Sequence, residues 1–230
     1  MELSKRLSAV AGEVTRGNVL ADVGTDHGYI PIYLLEKGIV PRAIAMDVNQ
    51  GPLDRAKEHM EEHGLEAVME TRLSNGLERL EAKEADSIVI AGMGGALMAD
   101  ILDRGQHVIG AGKELILQPQ SEIFKVRHFL HEHGYRIDKE IILQEEGKYY
   151  FILKALPGEE HFPEEYLYEH GEYLLKNKDA LMLEYLKKEI DKYQAIWENL
   201  KEKDSQAAME RRKQMKEHIL NLEKAYHYGR

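Results

Sequence analysis

From Asn18 to about Leu156, short apolar runs alternate with longer amphipathic ones, the pattern produced by strands and crossover helices. The runs Val19 to Val23, Ala43 to Met46, Ala67 to Arg72, Ser87 to Ile90 and Glu114 to Leu117 predict strands buried on both faces of a parallel sheet. Between them, Tyr29 to Glu36, Pro52 to His63, Ala96 to Asp103 and Ile123 to His133 predict helices. Gly51 followed by Pro52 marks a helix start, and Gly64 and Gly134 mark helix ends. Two further apolar runs, Ile137 to Leu143 and Tyr149 to Leu153, flank a polar stretch. They predict an antiparallel hairpin at the edge of the otherwise parallel sheet.

After Pro157 and Gly158 the strand signals stop, and Glu, Lys, Leu and Tyr dominate. Leu183, Leu186, Ile190, Tyr193, Trp197 and Leu200 are spaced 3, 4, 3, 4, 3, and Ala208, Met215, Ile219, Leu222 and Tyr226 continue a similar repeat interrupted by Arg212. The polar break Lys203-Asp204-Ser205 between the two sets fits a helical hairpin. The expected organisation is therefore an α/β, Rossmann-like domain over residues 1–157 followed by a helical coiled-coil domain over 158–230. The apolar heptads can close within one chain or pair between two, and the chain is expected to work as a monomer.

Composition removes several function classes. There is no cysteine, so disulfide frameworks, thiol nucleophiles and cysteine-based metal sites are excluded. The histidines of the segment from His128 to His133 fall in a helical pattern and read as a solvated face, so no metal is expected. No apolar run approaches the ~20 residues that span a bilayer, and the first residues lack a signal-peptide core, so a soluble cytoplasmic protein is expected. The excess of 41 acidic over 31 basic residues gives a formal charge of −10, which argues against holding nucleic acid by bulk positive charge. A nucleic-acid substrate would need a local basic patch; Arg211, Arg212, Lys213 and Lys216 form one, although such clusters are more often solvated helix faces.

The candidate chemistry begins at VLADVGTDHGYIP, where a hydrophobic strand delivers Asp22, Gly24, Thr25, Asp26, His27 and Gly28 into a turn before a helix. Ligands bind at such strand ends. A dinucleotide fingerprint would need glycine where Asp26 and Tyr29 stand, and a carboxylate at the first of these positions would oppose a pyrophosphate. A phosphate-free cofactor is favoured. S-adenosylmethionine, with its cationic sulfonium and amino groups, suits an Asp-lined turn. The bland reading of Asp26 is a helix cap.

Asp47, twenty-three residues after Gly24 and followed by Val48, ends the second strand where an acidic side chain can accept both ribose hydroxyls. Asn75 and Gly76 follow the third strand and can meet an adenine edge or form a simple turn. Ala91, Gly92, Met93, Gly94 and Gly95 end the fourth, and so many glycines imply close approach by a ligand or a packed helix. Gln118 and Gln120 flank Pro119 after the fifth, where their amides can bond a base edge or simply supply loop polarity.

Taken together, LSKRL, DVGTDHGYIP, the acidic strand end at Asp47, NGL, IAGMGG and LILQPQ resemble the bacterial tRNA adenine-N(1)-methyltransferase family, which modifies adenosine 22 of tRNA. The resemblance runs in order through nearly all of the first 156 residues. It implies a class I S-adenosylmethionine-dependent methyltransferase with a C-terminal helical domain. It gives Gly24, Asp26, His27, Asp47, Asn75 and Gly76 to the cofactor and lines the transfer site with Ala91, Gly92, Met93 and Gly94. Asp26, Tyr29 and Gln118 fall near the reacting base as the catalytic candidates. Lys5 and Arg6 become tRNA contacts, joined by the basic cluster of the helical domain. Two positions depart from the family's usual residues: Asn75, often Asp, and Gln120, often Asn.

Two other classes fit the residues alone. One is a methyltransferase acting on a small molecule or protein, which the negative charge would suit. The other is a non-catalytic interaction protein whose hairpin binds a partner helix. A nicotinamide oxidoreductase is disfavoured by the missing glycines.

Overall fold

The computed structural model describes residues 1–201 and 206–230, and the chain divides into two compact units, Met1–Glu160 and His161–Arg230. The first unit is built on a seven-stranded sheet of order β3-β2-β1-β4-β5-β7-β6. Its strands are β1 (Leu20–Val23), β2 (Ala43–Asp47), β3 (Met69–Leu73), β4 (Ser87–Gly94), β5 (Glu114–Ser121), β6 (Tyr135–Glu145) and β7 (Lys148–Pro157). The first five run parallel; β7 joins β5 antiparallel and carries β6 on the outer edge. The hairpin expected at the sheet edge is this β6–β7 pair, with β7 inserted between its partner and the parallel strands.

Every residue of β1 is buried, because both of its neighbours are strands and helices cover both faces. These helices are α1 (Lys5–Gly12), α2 (Tyr29–Glu36), α3 (Gln50–Glu62), α4 (Gly95–Arg104), the short α5 (Gln106–Ile109) and α6 (Ile123–Glu132). Gly64 and Gly134, the expected helix ends, have φ of +65° and +73°, a region that glycine enters without a Cβ penalty.

The strand-and-helix pattern gave no prediction for α1. Ser4 caps it by accepting from the Leu7 amide at 3.2 Å, and Val10, Ala11 and the following Val14 are buried with Leu20, Ile30, Ile116 and Ile152. The helix thereby closes one face of the sheet beside the ends of β1 and β4. Two strands also run further than their apolar runs suggest. Beyond Ile90 and Leu117, β4 and β5 stay paired, with register shifts at Ala91/Met93 and Met93/Gly94. This bulge carries the glycine-rich segment and Gln118 into the sheet.

The second unit contains α7 (Glu165–His170), α8 (Glu172–Lys176), α9 (Ala180–Lys201) and α10 (Gln206–Tyr228). The antiparallel pairing of α9 and α10 follows from their contacts. Tyr193 meets His218 edge-on at 4.5 Å between ring centroids, whereas a Cβ on Gly229 would meet Leu183. Of the expected seam, Leu186, Met215 and Leu222 are buried, joined by Met182 and Ala225. Leu183, Ile190, Tyr193, Trp197, Leu200, Ile219 and Tyr226 are half-buried. The break at Lys203-Asp204-Ser205 lies outside the described residues, as does the side chain of Ala208.

Candidate functional site

The strand order reverses direction at β1, with β2 on one side and β4 on the other, so the loops after β1 and β4 diverge and leave a crevice. A cavity of about 440 Å³ lies there. This falls within the range of about 300–1,000 Å³ usual for small-molecule sites. It is lined from β1 and its turn by Asp22, Val23, Gly24, Asp26, Tyr29 and Ile30, and from β2 by Asp47, Val48 and Asn49. The loop after β3 adds Ser74, Asn75 and Gly76, the β4–α4 segment adds Ala91, Gly92, Met93, Leu97 and Ile101, and Arg6, Leu7 and Gln120 complete the wall.

The turn after β1 is fastened to the neighbouring strand by the Gly24 and Thr25 amides, which donate to the Met46 carbonyl at 2.8 and 2.9 Å. Gly24 has φ of +73°, a backbone conformation that disfavours any residue with a Cβ, and a Cβ built there would displace the flexible end of the Met93 side chain. Gly92 also has a positive φ, of +81°, and a Cβ there would only touch two side chains of the cavity wall, Gln120 Nε2 at 3.8 Å and Arg6 Nη1 at 3.9 Å. Gly95 is different: a Cβ there would strike the carbonyls of Ser121 and Glu122 at 2.5 and 2.4 Å. The glycine-rich segment therefore combines both expected reasons, ligand approach at Gly92 and backbone packing at Gly95.

Three carboxylates, Asp22, Asp26 and Asp47, line the cavity, and Arg6 is the one lysine or arginine among the described lining residues. Burial pushes the Asp22 carboxyl up to about 6, against the hydrogen bond from Thr25, with Asp47 and Asp26 adding like-charge repulsion. The Thr25 hydroxyl donates to Asp22 at 2.6 Å. Asp47 accepts the Asn49 amide at 2.8 Å. The Asp26 side chain is 82% exposed at the rim, 3.1 Å from His27 Nε2. A lining of this sign suits a cationic, phosphate-free ligand, which is the chemistry of S-adenosylmethionine, and the glycine cradle leaves room for it.

Several residues expected at the site stand elsewhere. Thr25 is buried behind Asp22, Gly28 caps α2 against Met69 and Ala56, and Gly94 packs against Ser121, so none of them lines the cavity. His27 is also outside, its ring parallel to that of Tyr29 at 5.3 Å. Gln118 is fully buried and reaches the cavity through Arg6, whose Nη1 donates to Gln118 Oε1 at 2.8 Å. Lys5 turns to the edge hairpin, where its ammonium donates to the Gln144 carbonyl at 3.0 Å. Asn49, Ser74, Leu97 and Ile101 are lining residues outside the sequence motifs, and Leu7, the end of LSKRL, lines the cavity without an expected role; of these, Leu97 is an exposed large apolar side chain at a helix start, 50% exposed.

In the other unit, Arg211, Lys213 and Lys216 are exposed along α10 and Arg212 is half-buried. The histidines from His128 to His133 are not one solvated face: His131 has a side chain only 3% exposed and pairs with Glu160 at 3.1 Å, and His133, just past the end of α6, stacks on Phe129. No group of three or more histidine or carboxylate side chains able to hold a metal is found among the described residues, and no described helix is long and apolar enough to cross a membrane.

Comparison with known proteins matches residues 20–224 to the model of the tRNA (adenine(22)-N(1))-methyltransferase family. The tRNA (adenine(22)-N(1))-methyltransferase of Bacillus subtilis strain 168 is 37% identical over 213 residues, covering 90% of this chain and 88% of that protein. The crystal structure of the B. subtilis m1A22 tRNA methyltransferase TrmK superposes with a TM-score of 0.88 at 34% identity, over 98% of this chain and 99% of that one. TrmK of M. capricolum, solved with the cofactor product S-adenosyl-homocysteine, gives 0.87 at 29% identity and covers all of both chains.

Proposed function

Because this chain belongs to the tRNA (adenine(22)-N(1))-methyltransferase family, we infer that it transfers the methyl group of S-adenosylmethionine to ring nitrogen 1 of adenosine 22 in the D-arm of tRNA. The observation that carries this reading is the family match along both units, joined to a cavity whose carboxylate lining suits that cofactor.

S-adenosylmethionine, when bound, supplies an electrophilic methyl group on a cationic sulfonium. In this reading the chain's own residues bind, orient and balance charge. Asp47 accepts the ribose hydroxyls, and Val48, Asn75 and Gly76 border the adenine. Asp22, oriented by Thr25, supplies negative charge to the cationic end, while Gly24 and Gly92 let the backbone approach closely. Ala91 and Met93 form the wall beside the transfer site.

Ring nitrogen 1 of adenine has an in-plane lone pair and needs no covalent enzyme intermediate, so alignment and electrostatics are the remaining demands. Tyr29 borders the target base, and Asp26 at the rim stabilises the positive charge that the base gains. Gln118 acts at one remove, by holding Arg6. The nitrogen lies on the pairing edge, so the adenosine must leave its stack before transfer. Arg6, Lys5 and the Arg211, Arg212, Lys213 and Lys216 cluster meet tRNA phosphates, a local answer to the acidic net charge. In this reading the working unit is a single chain in the cytoplasm.

Salt separates this reading from a small-molecule or protein substrate. Affinity for unmodified tRNA is expected to fall steeply between about 50 and 200 mM salt while cofactor affinity barely moves. Methyl transfer to tRNA with no salt dependence in its KM would contradict the phosphate contacts.

A further inference from the structure

The rings of His27, Tyr29 and His59 have centroid separations of 5.3, 5.6 and 5.9 Å and planes within 25° of one another. In a column of three stacked rings, the outer pair would stand about twice as far apart as the neighbours. Three nearly equal separations instead make a triangle, a cluster of offset, near-parallel aromatic rings. The patch is assembled from two distant segments: His27 and Tyr29 come from the turn into α2, and His59 from α3.

The backbone is strained to build it. His27 has φ of +59°, a region that non-glycine residues seldom enter. His59 Nδ1 donates to the His27 carbonyl at 2.9 Å, holding that conformation. All three rings are only partly covered by protein. Tyr29 lines the cavity and the two histidines do not, so the patch leads continuously from the transfer site onto the outer rim.

We propose that this patch is a stacking surface for an unpaired nucleobase flanking the target, and that His59 is a substrate-positioning residue of the enzyme. The proposal rests on the tRNA reading above. Extruding the target adenosine deprives its neighbour of a stacking partner, and a partly exposed aromatic face of this cluster at the cavity rim replaces it. Stacking of this kind tolerates any base, which suits a neighbour that the enzyme does not modify.

Steady-state kinetics on unmodified tRNA with His59→Ala, His59→Phe and His59→Asn, beside cofactor binding, test it. His59→Ala is expected to raise the KM for tRNA roughly ten-fold with cofactor affinity unchanged. His59→Phe, which keeps a ring but cannot donate to His27, is expected to restore most of the loss; His59→Asn, which keeps a donor without a ring, is not. A KM unchanged in His59→Ala, or rescue by Asn and not by Phe, would overturn the patch and leave His59 as a brace for the turn. Wild-type turnover on tRNA is the control for the underlying reading: its absence overturns both, whereas wild-type turnover with an unchanged His59→Ala overturns the patch alone.

Discussion

Arg6 and Gln118 meet at 2.8 Å, joining the N-terminal helix to a glutamine with no solvent exposure in the fifth strand. Gln118 is itself held, its Nε2 donating to the Pro119 carbonyl at 3.2 Å, and the Arg6 guanidinium also lies over the Tyr150 ring at 5.6 Å. A long, flexible cation is thus fixed in one direction at the edge of an acidic cavity. Its remaining donors suit a phosphate, since a positive group aimed at the methylated base would oppose the charge that base acquires.

Arg6→Ala is therefore expected to raise the KM for tRNA and to lower the slope of log affinity against log salt by about one. Gln118→Leu, which keeps the volume but releases Arg6, should reproduce the KM effect with a smaller change in salt slope. Cofactor binding measured by calorimetry should be unaltered in both. A loss of cofactor affinity equal to the loss in KM would show that the pair shapes the cavity and does not touch tRNA.

The pH dependence of cofactor binding reports on Asp22. Its folded, ligand-free carboxyl titrates near 6, above the ordinary value of 3.8. The sign is that of a raised carboxylate: stability is fully present below the unfolded value and declines as pH rises to about 6, by about 3 kcal/mol in all. A cationic ligand favours the ionised form, so binding releases a proton, and affinity is lost as pH falls below about 6. Asp22→Asn should flatten that profile and stabilise the ligand-free protein at pH 8. A wild-type affinity constant from pH 5 to 8 would separate Asp22 from the cationic group.

Asp47 and Asp26 are expected to divide along function. Asp47→Ala should weaken cofactor affinity by roughly ten- to a hundred-fold, the loss of about 1.5–3 kcal/mol from charge-assisted hydrogen bonds. Asp26→Asn should lower kcat while cofactor affinity and melting temperature stay near wild type. Normal cofactor affinity in the first variant, or normal turnover in the second, contradicts the respective assignment.

Gly24→Ala tests the cradle. The positive φ disfavours alanine, and its methyl would drive the Met93 side chain from its place in the cavity wall. The expected result is a larger loss in cofactor affinity than in thermal stability. Equal effects on both would show that Gly24 serves the fold alone.

Much of this arrangement was legible in the sequence because it follows from local pattern. Apolar runs located the strands, glycine and proline located helix ends, and the missing glycine at Asp26 pointed away from a pyrophosphate. What escaped depends on distant partners. The spacing of Leu3, Leu7, Val10, Ala11 and Val14 is helical, yet only packing against Leu20 and Ile152 shows that α1 closes the site. Gln118 could be read either as a base contact or as loop polarity because nothing local shows that β4 continues through a bulge and keeps β5 paired beyond Leu117. His59 carries no signal at all, since its ring partners lie at the start of the preceding helix.

The most direct test incubates the protein with S-adenosylmethionine and unmodified bacterial tRNA, then reads the product by reverse transcription, which a methyl group on the pairing edge blocks. The expected result is a stop at adenosine 22 that requires the cofactor and disappears when that adenosine is replaced by guanosine. Full-length extension, with methyl groups recovered in another position or another molecule, would contradict the assignment of adenosine 22 as the target.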